Sequence, residues 1–241
     1  MEKSLVLKNL FGISGLNVDM VGVIGSTLMA IVVFAICYAL SRKVEMKPNA
    51  KQNVLEYFID FTDGIVRDNV EDEDAQKHLS LYAFVLFLFI FCMNQLGLFL
   101  EVKVGDFMVI KSPTADPVTT MSFAMMTLLL SFTFGIQKFG TKGYLKNYAS
   151  PVGFLLPINI IEEFTNFLTL SLRLYGNIFA GEVLLTLIGN DLGPSMGIIT
   201  RILAAPLAMI WQGFSVFIGS IQAYVFVTLS MVYVGKKVTK E

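Results

Sequence analysis

Five stretches of the chain are apolar almost without interruption: Val18–Leu40, Leu79–Leu100, Val118–Ile136, Phe154–Ile188 and Gly197–Val234. Each approaches or exceeds the roughly 18–20 apolar residues that cross a bilayer. Hydrocarbon offers no partner to an unpaired backbone N–H or C=O, so each stretch is expected to be a helix. The periodicity changes between the first two. In Asn53–Val70, the residues Val54, Phe58, Phe61, Ile65 and Asn69 recur at spacings of three and four, while Glu56, Asp60, Asp63 and Arg67 take other faces. That pattern predicts an amphipathic helix lying on a membrane surface. The expected fold class is all-α integral membrane, with about five spanning helices plus the surface helix, in a single membrane domain covering residues 1–241.

The last two stretches are too long for an upright span. Phe154–Ile188 would be about 52 Å as a helix and Gly197–Val234 about 57 Å, against a hydrocarbon core of ~30 Å. Steep tilt is expected, with Gly189-Asn190-Asp191-Leu192-Gly193-Pro194 as the turn of a hairpin of two oblique helices. Both helices carry polar stripes. Around Arg173, helical spacing brings Glu162, Asn166, Thr169, Gly176, Asn177 and Ala180 to one face; on the last helix, Arg201, Ala205, Ala208, Gln212, Ser215, Gly219 and Gln222 follow one another in steps of three and four. Small residues alone would serve close helix packing. A charge at bilayer depth costs at least ~2.5–3.5 kcal/mol, and such residues mark ion or proton pathways. Glu182, nine residues past Arg173, lies on the opposite side of an ideal helix and cannot form a simple pair with it.

Composition sharpens the class. Only 15% of the 241 residues are charged and 55% are hydrophobic, where a soluble domain needs about 25% charged. The net charge of −1 gives no argument for nucleic acid. Lys and Arg cluster in 42–77, 138–146 and the C-terminal tail, while Lys3, Lys8, Lys103 and Lys111 fall on the other side of a five-span chain. The excess of positive charge on the cytoplasmic side then predicts an N-terminus outside and a C-terminus in the cytoplasm. The first 17 residues lack a cleavage pattern, so no signal peptide is expected. Cys37 and Cys92 read as packing residues, His78 as an interfacial histidine, and the acidic run 71–74 as a solvated turn. No metal-ligand or nucleotide-loop pattern is present.

Ser171-Leu172-Arg173-Leu174-Tyr175-Gly176-Asn177, followed by Ala180-Gly181-Glu182, resembles the signature of subunit a of the bacterial F-type ATP synthase. Ile221-Gln222-Ala223-Tyr224-Val225-Phe226 on the last helix is similar to that family's second motif, and the resemblance spans nearly the whole chain. It implies a proton-conducting, non-catalytic stator subunit of the bacterial plasma membrane, with no cofactor. The implied partners are a c-subunit ring, the b subunits of the peripheral stalk and the rest of the complex. Arg173 would be the barrier between two half-channels, flanked by Asn177, Glu182, Gln222, Glu162 and Ser215. Many bacterial members place a histidine where Ser215 stands, and serine cannot titrate near neutral pH. The family's upstream acid matches either Glu162 or Glu163, and helix geometry favours Glu162 for the arginine-bearing face. The rival reading is an ion-coupled secondary transporter, but such folds show matching halves with interrupted helices, and no internal repeat is found here.

Overall fold

The computed structural model describes residues 6–7, 18–42, 45, 49–99, 102–104, 107–110, 112–148, 156–188 and 198–238. Its helices are α1 (Met20–Ser41), α2 (Ala50–Asn69), α3 (Glu73–Phe99), α4 (Pro117–Tyr148), α5 (Leu156–Thr186) and α6 (Ile198–Val238). Two short antiparallel ribbons accompany them. One pairs β1 (Val6–Leu7) with β2 (Val18–Asp19), and the other pairs β3 (Val102–Val104) with β4 (Phe107–Ile110). Hydropathy did not anticipate these ribbons, because segments of two to four residues are too short to set a periodicity. All six expected helices are present.

Among the described residues, four segments are long and apolar enough to cross a membrane: Met20–Ser41, Glu73–Leu96, Pro117–Tyr144 and Ala205–Val238. α5 has the length, 31 residues, but Glu162, Glu163, Arg173 and Glu182 dilute its hydropathy. At about 46 Å for α5 and about 62 Å for the 41-residue α6, both exceed the hydrocarbon thickness. The turn expected at 189–194 and the side chain of Arg201 lie outside the described residues.

Contacts divide the chain into two compact units. The first comprises Met1–Val33, Phe89–Thr119 and Arg173–Ala223; the second comprises Phe34–Leu88, Thr120–Leu172 and Tyr224–Glu241. α1, α3, α4, α5 and α6 each contribute residues to both, whereas α2 belongs wholly to the second.

In the first unit, Met93 and Leu96 of α3, Leu174 and Ile178 of α5, and Ala223 of α6 are buried. The buried turn Pro113–Ala115 leads into α4 and is tied to α3, where Ser112 Oγ donates to the Met93 carbonyl at 3.2 Å. Within this unit α5 and α6 run antiparallel, since Asn177 meets Gln222 while Gly181 meets Trp211.

In the second unit, part of the amphipathic stripe of α2 packs against protein, while Val54 stays exposed. Phe58 and Phe61 pack on Phe87 of α3, with ring centroids 6.2 and 5.5 Å apart, and Phe61 also reaches Tyr224 of α6 at 5.7 Å. Where α6 passes the end of α2, a Cβ on Gly235 would run into the Asn69 carbonyl oxygen, so only glycine permits that approach. The acidic turn has more structure than solvation alone requires. Asp72 Oδ1 accepts from the backbone N–H groups of Asp74 (3.0 Å) and Ala75 (3.2 Å), capping α3, and its carboxylate also pairs with Lys138 of α4. The Lys138 hydrogen bond, followed by that from Ala75, holds the Asp72 carboxyl below its ordinary range. α4 breaks at Gly140, whose φ of 69° lies in the left-handed region that glycine adopts freely.

Candidate functional site

The polar residues of α5 and α6 gather in two places, one in each unit. In the first, helical spacing on α5 turns Leu174, Ile178 and Gly181 inward, while Arg173, Asn177 and Ala180 stay on the outside of the chain. Asn177 reaches back from that outer face, and its Nδ2 donates to Gln222 Oε1 on α6 at 2.9 Å. Gln222 is buried, and its own Nε2 has no partner among the described residues.

α3 supplies two more amides beside α6. Asn94, fully buried, donates through Nδ2 to the Gly219 carbonyl at 3.0 Å, and Gln95 Nε2 donates to Ser220 Oγ at 3.2 Å. Asn94 Oδ1 and Gln95 Oε1 are left without partners among the described residues. Three buried, unsatisfied amide atoms on apolar helices are costly unless water meets them, because burying a polar group unpaired costs several kcal/mol, of order 4–8 into hydrocarbon. Further along α5, Gly181 faces α6. A Cβ there would lie 3.7 Å from Ser215 Oγ, and Trp211 Nε1 donates to the Gly181 carbonyl at 3.4 Å. Glu182 follows, half-buried.

In the second unit, consecutive glutamates of α5 meet consecutive lysines of α6. Glu162 pairs with Lys236 at 3.6 Å in the open, and Glu163 pairs with Lys237 in a mostly buried setting. Glu163 also lines a narrow cleft of about 10 Å³, room for about one water, together with Asn166 of α5, Thr127 and Ser131 of α4, and Tyr233 of α6. Ser131 Oγ donates to the Tyr233 carbonyl at 3.1 Å, and Thr127 shares hydrogen bonds with Tyr82 (3.0 Å) and Ser230 (3.4 Å). Among the described residues no group of three or more His, Cys, Asp or Glu side chains is arranged to hold a metal ion.

An arginine on an outward face, backed by amides paired from helix to helix, fits the motif resemblance, and whole-chain comparison decides it. Residues 23–235 match the family model described as ATP synthase A chain. The chain is 51% identical over 232 residues to the ATP synthase subunit a of Pediococcus pentosaceus, covering 96% of this chain and 97% of that one. It is 50% identical over 236 residues to that of Enterococcus faecalis (97% and 98%), and 42% identical over 228 residues to that of Listeria monocytogenes (94% and 95%). The chain belongs to the ATP synthase A chain family.

Within this family frame, the residues singled out from sequence do not form one cluster. Arg173, Asn177, Gln222, Ser215 and Glu182 belong to the first unit, and Glu162 to the second. Asn177 and Gln222 are joined directly, and Ser215 stands across from Gly181. Glu162 is exposed and paired with Lys236, whereas Glu163, the alternative match to the family's upstream acid, faces the cleft. Sequence reasoning passed over Asn94 and Gln95, although two adjacent amides inside the run Leu79–Leu100 are a signal of the same kind as a buried charge. It counted Lys236 and Lys237 only as topology charges; their ion pairs depend on contacts between helices.

Proposed function

We propose that this chain is the proton-conducting stator subunit of an F-type ATP synthase, in which Arg173 separates two aqueous half-channels that serve a carboxylate on a partner ring. The observation that carries the reading is Arg173 on the outer face of α5, one turn from Asn177, which is hydrogen-bonded to the buried Gln222. An outward arginine at membrane depth needs an external partner that makes its charge worthwhile, and a carboxylate carried past it on a c-subunit ring is such a partner.

The chemistry follows from the side chains. A carboxyl group in lipid is held neutral by desolvation, and a fixed cation brought near it favours the ionised form, so the proton leaves. Guanidinium does not deprotonate in proteins and cannot itself pass the proton across. The proton therefore travels around the barrier on the ring, driven by about 2.3 kcal/mol per charge per 100 mV. Asn177, Gln222, Ser215 and Glu182 would line one passage, and Glu162 or Glu163 would serve the other. Ser215 can hold water without titrating, which leaves Glu182 as the acid beside it. The unpaired amide atoms of Asn94, Gln95 and Gln222 support a hydrated route in the first unit. The b subunits of the peripheral stalk would complete the stator. The N-terminus would lie outside and the C-terminus in the cytoplasm, and the chain itself would perform no bond chemistry.

Arg173→Ala in the intact complex, reconstituted into vesicles, is expected to abolish both ATP-driven proton pumping and ATP synthesis while the complex still assembles. Normal synthesis by energised vesicles of that variant overturns the assignment.

A further inference from the structure

Two neighbouring lysines end α6, and the structure treats them differently. Lys236 and Glu162 are 61% and 56% exposed, so their contact is an ordinary surface pair of little consequence. Lys237 and Glu163 are only 17% and 20% exposed. A lysine at the end of a membrane helix normally extends its long stem toward water. Lys237 instead turns inward, with its Nζ 6.0 Å from the ring centroids of both Phe132 and Tyr144.

That aromatic seat is built by glycines. The left-handed break at Gly140 separates the two helical parts of α4 that carry Phe132 and Tyr144, and the two rings meet edge to face, 6.3 Å apart. Gly135 leaves the space the Tyr144 ring occupies, since a Cβ there would lie 2.6 Å from that ring. Glu163, which Lys237 holds, is the one carboxyl side chain among the described residues that line the cleft, beside the hydroxyl and amide groups of Thr127, Ser131, Asn166 and Tyr233.

We propose that Lys237 is a positioning residue for proton exchange: it fixes the Glu163 carboxylate at the α4–α5–α6 cleft, where the proton passes to water on the lysine-rich side of the membrane. This rests on the half-channel reading above and deepens it, because it assigns the second passage a location and a device. A salt bridge that merely ties α5 to α6 would need neither the cleft nor the polar groups that continue from it into α4.

The test is passive proton flux through the membrane sector, in proteoliposomes driven by a potassium diffusion potential, with the amount of assembled complex measured in each preparation. Lys237→Met and Glu163→Gln are each expected to lower flux several-fold per assembled complex. Lys237→Arg, which keeps the charge on a seat of aromatic rings, should restore at least half of it. The double variant Lys237→Met/Glu163→Gln should be no better than Glu163→Gln alone. Normal flux in Lys237→Met, or recovery in the double variant, overturns the proposal, since removing both charges together would then cure what is only a structural defect.

A second readout does not depend on Lys237 variants assembling. In a background with Cys37 and Cys92 replaced by serine, Asn166→Cys should be modified by a charged methanethiosulfonate reagent added on the lysine-rich side, and flux should fall. Absence of modification overturns water access to the cleft. Arg173→Ala run in parallel separates the two levels. If it still couples normally, the half-channel reading itself fails; if it uncouples while Lys237→Met conducts normally, only the present inference fails.

Discussion

Arg173 and Asn177 stand one turn apart on the same face of α5, yet the fold uses them in opposite ways. Arg173 is left outside, and Asn177 is turned back to a buried amide. The Asn177–Gln222 bond is the only described partner of the Gln222 side chain. Asn177→Leu would therefore leave a buried amide wholly unpaired, at a cost of about 1–3 kcal/mol, while removing a polar group beside Arg173. The expected outcome is a lower temperature of subunit release from the purified complex together with reduced proton flux. Asn177→Asp, which can still accept from Gln222 Nε2, should keep more of the flux. A thermal-release curve and a vesicle flux assay on the same preparation check both. The same scale explains which side chains were legible in advance. Arg173, Glu182 and Gln222 announce themselves as polar groups in apolar helices, because hydrocarbon penalises them wherever they point. Glu162 and Glu163 are adjacent in sequence and equally charged, so ideal helix angles favoured the first for the arginine-bearing face. It took the positions of Lys236 and Lys237 to show that Glu163 faces the cleft.

Among the elements, α2 was legible as an amphipathic helix but not in its role. A stripe at spacings of three and four reports that one face seeks apolar surroundings, and says nothing of whether lipid or protein supplies them. Here Phe58 and Phe61 find Phe87 and Tyr224, and the end of α2 lies directly against α6. Gly235→Ala places a methyl group into the Asn69 carbonyl, and backbone can yield only by parting the helices. The expected result is a loss of stability of at least about 1–3 kcal/mol, as for other overpacked sites. It would be read as a reduced level of the chain in membranes and earlier release on heating, with nearby Lys236→Ala nearly silent by comparison. Near-normal levels of Gly235→Ala would mean that α2 does not dock there. Asp72 shows the same limit of sequence reading. An acidic run before a helix reads as a solvated turn, but one of its four members caps α3 and pairs with a lysine 66 residues away.

At the scale of the whole molecule, the proposed orientation places the chain ends on opposite sides of the membrane, which requires an odd number of spans. With the Cys37 and Cys92 thiols removed, Lys3→Cys should react with an impermeant maleimide only in right-side-out vesicles, and Glu241→Cys only in inverted ones. Labelling of both from the same side would overturn the proposed orientation and make the span count even. What the sequence determined by itself is the class of the protein, its helices and the polar side chains, Arg173 first among them, that hydrocarbon penalises. These depend on properties of single residues and of local periodicity, namely transfer to hydrocarbon and obligatory backbone pairing. Only the tertiary structure decided that Asn177 is held by Gln222, that Asn94 and Gln95 bring α3 into the polar region, and that Lys237 rather than Lys236 is buried against a carboxylate. Those facts are contacts between residues tens of positions apart, and their energies exist only once the helices are packed.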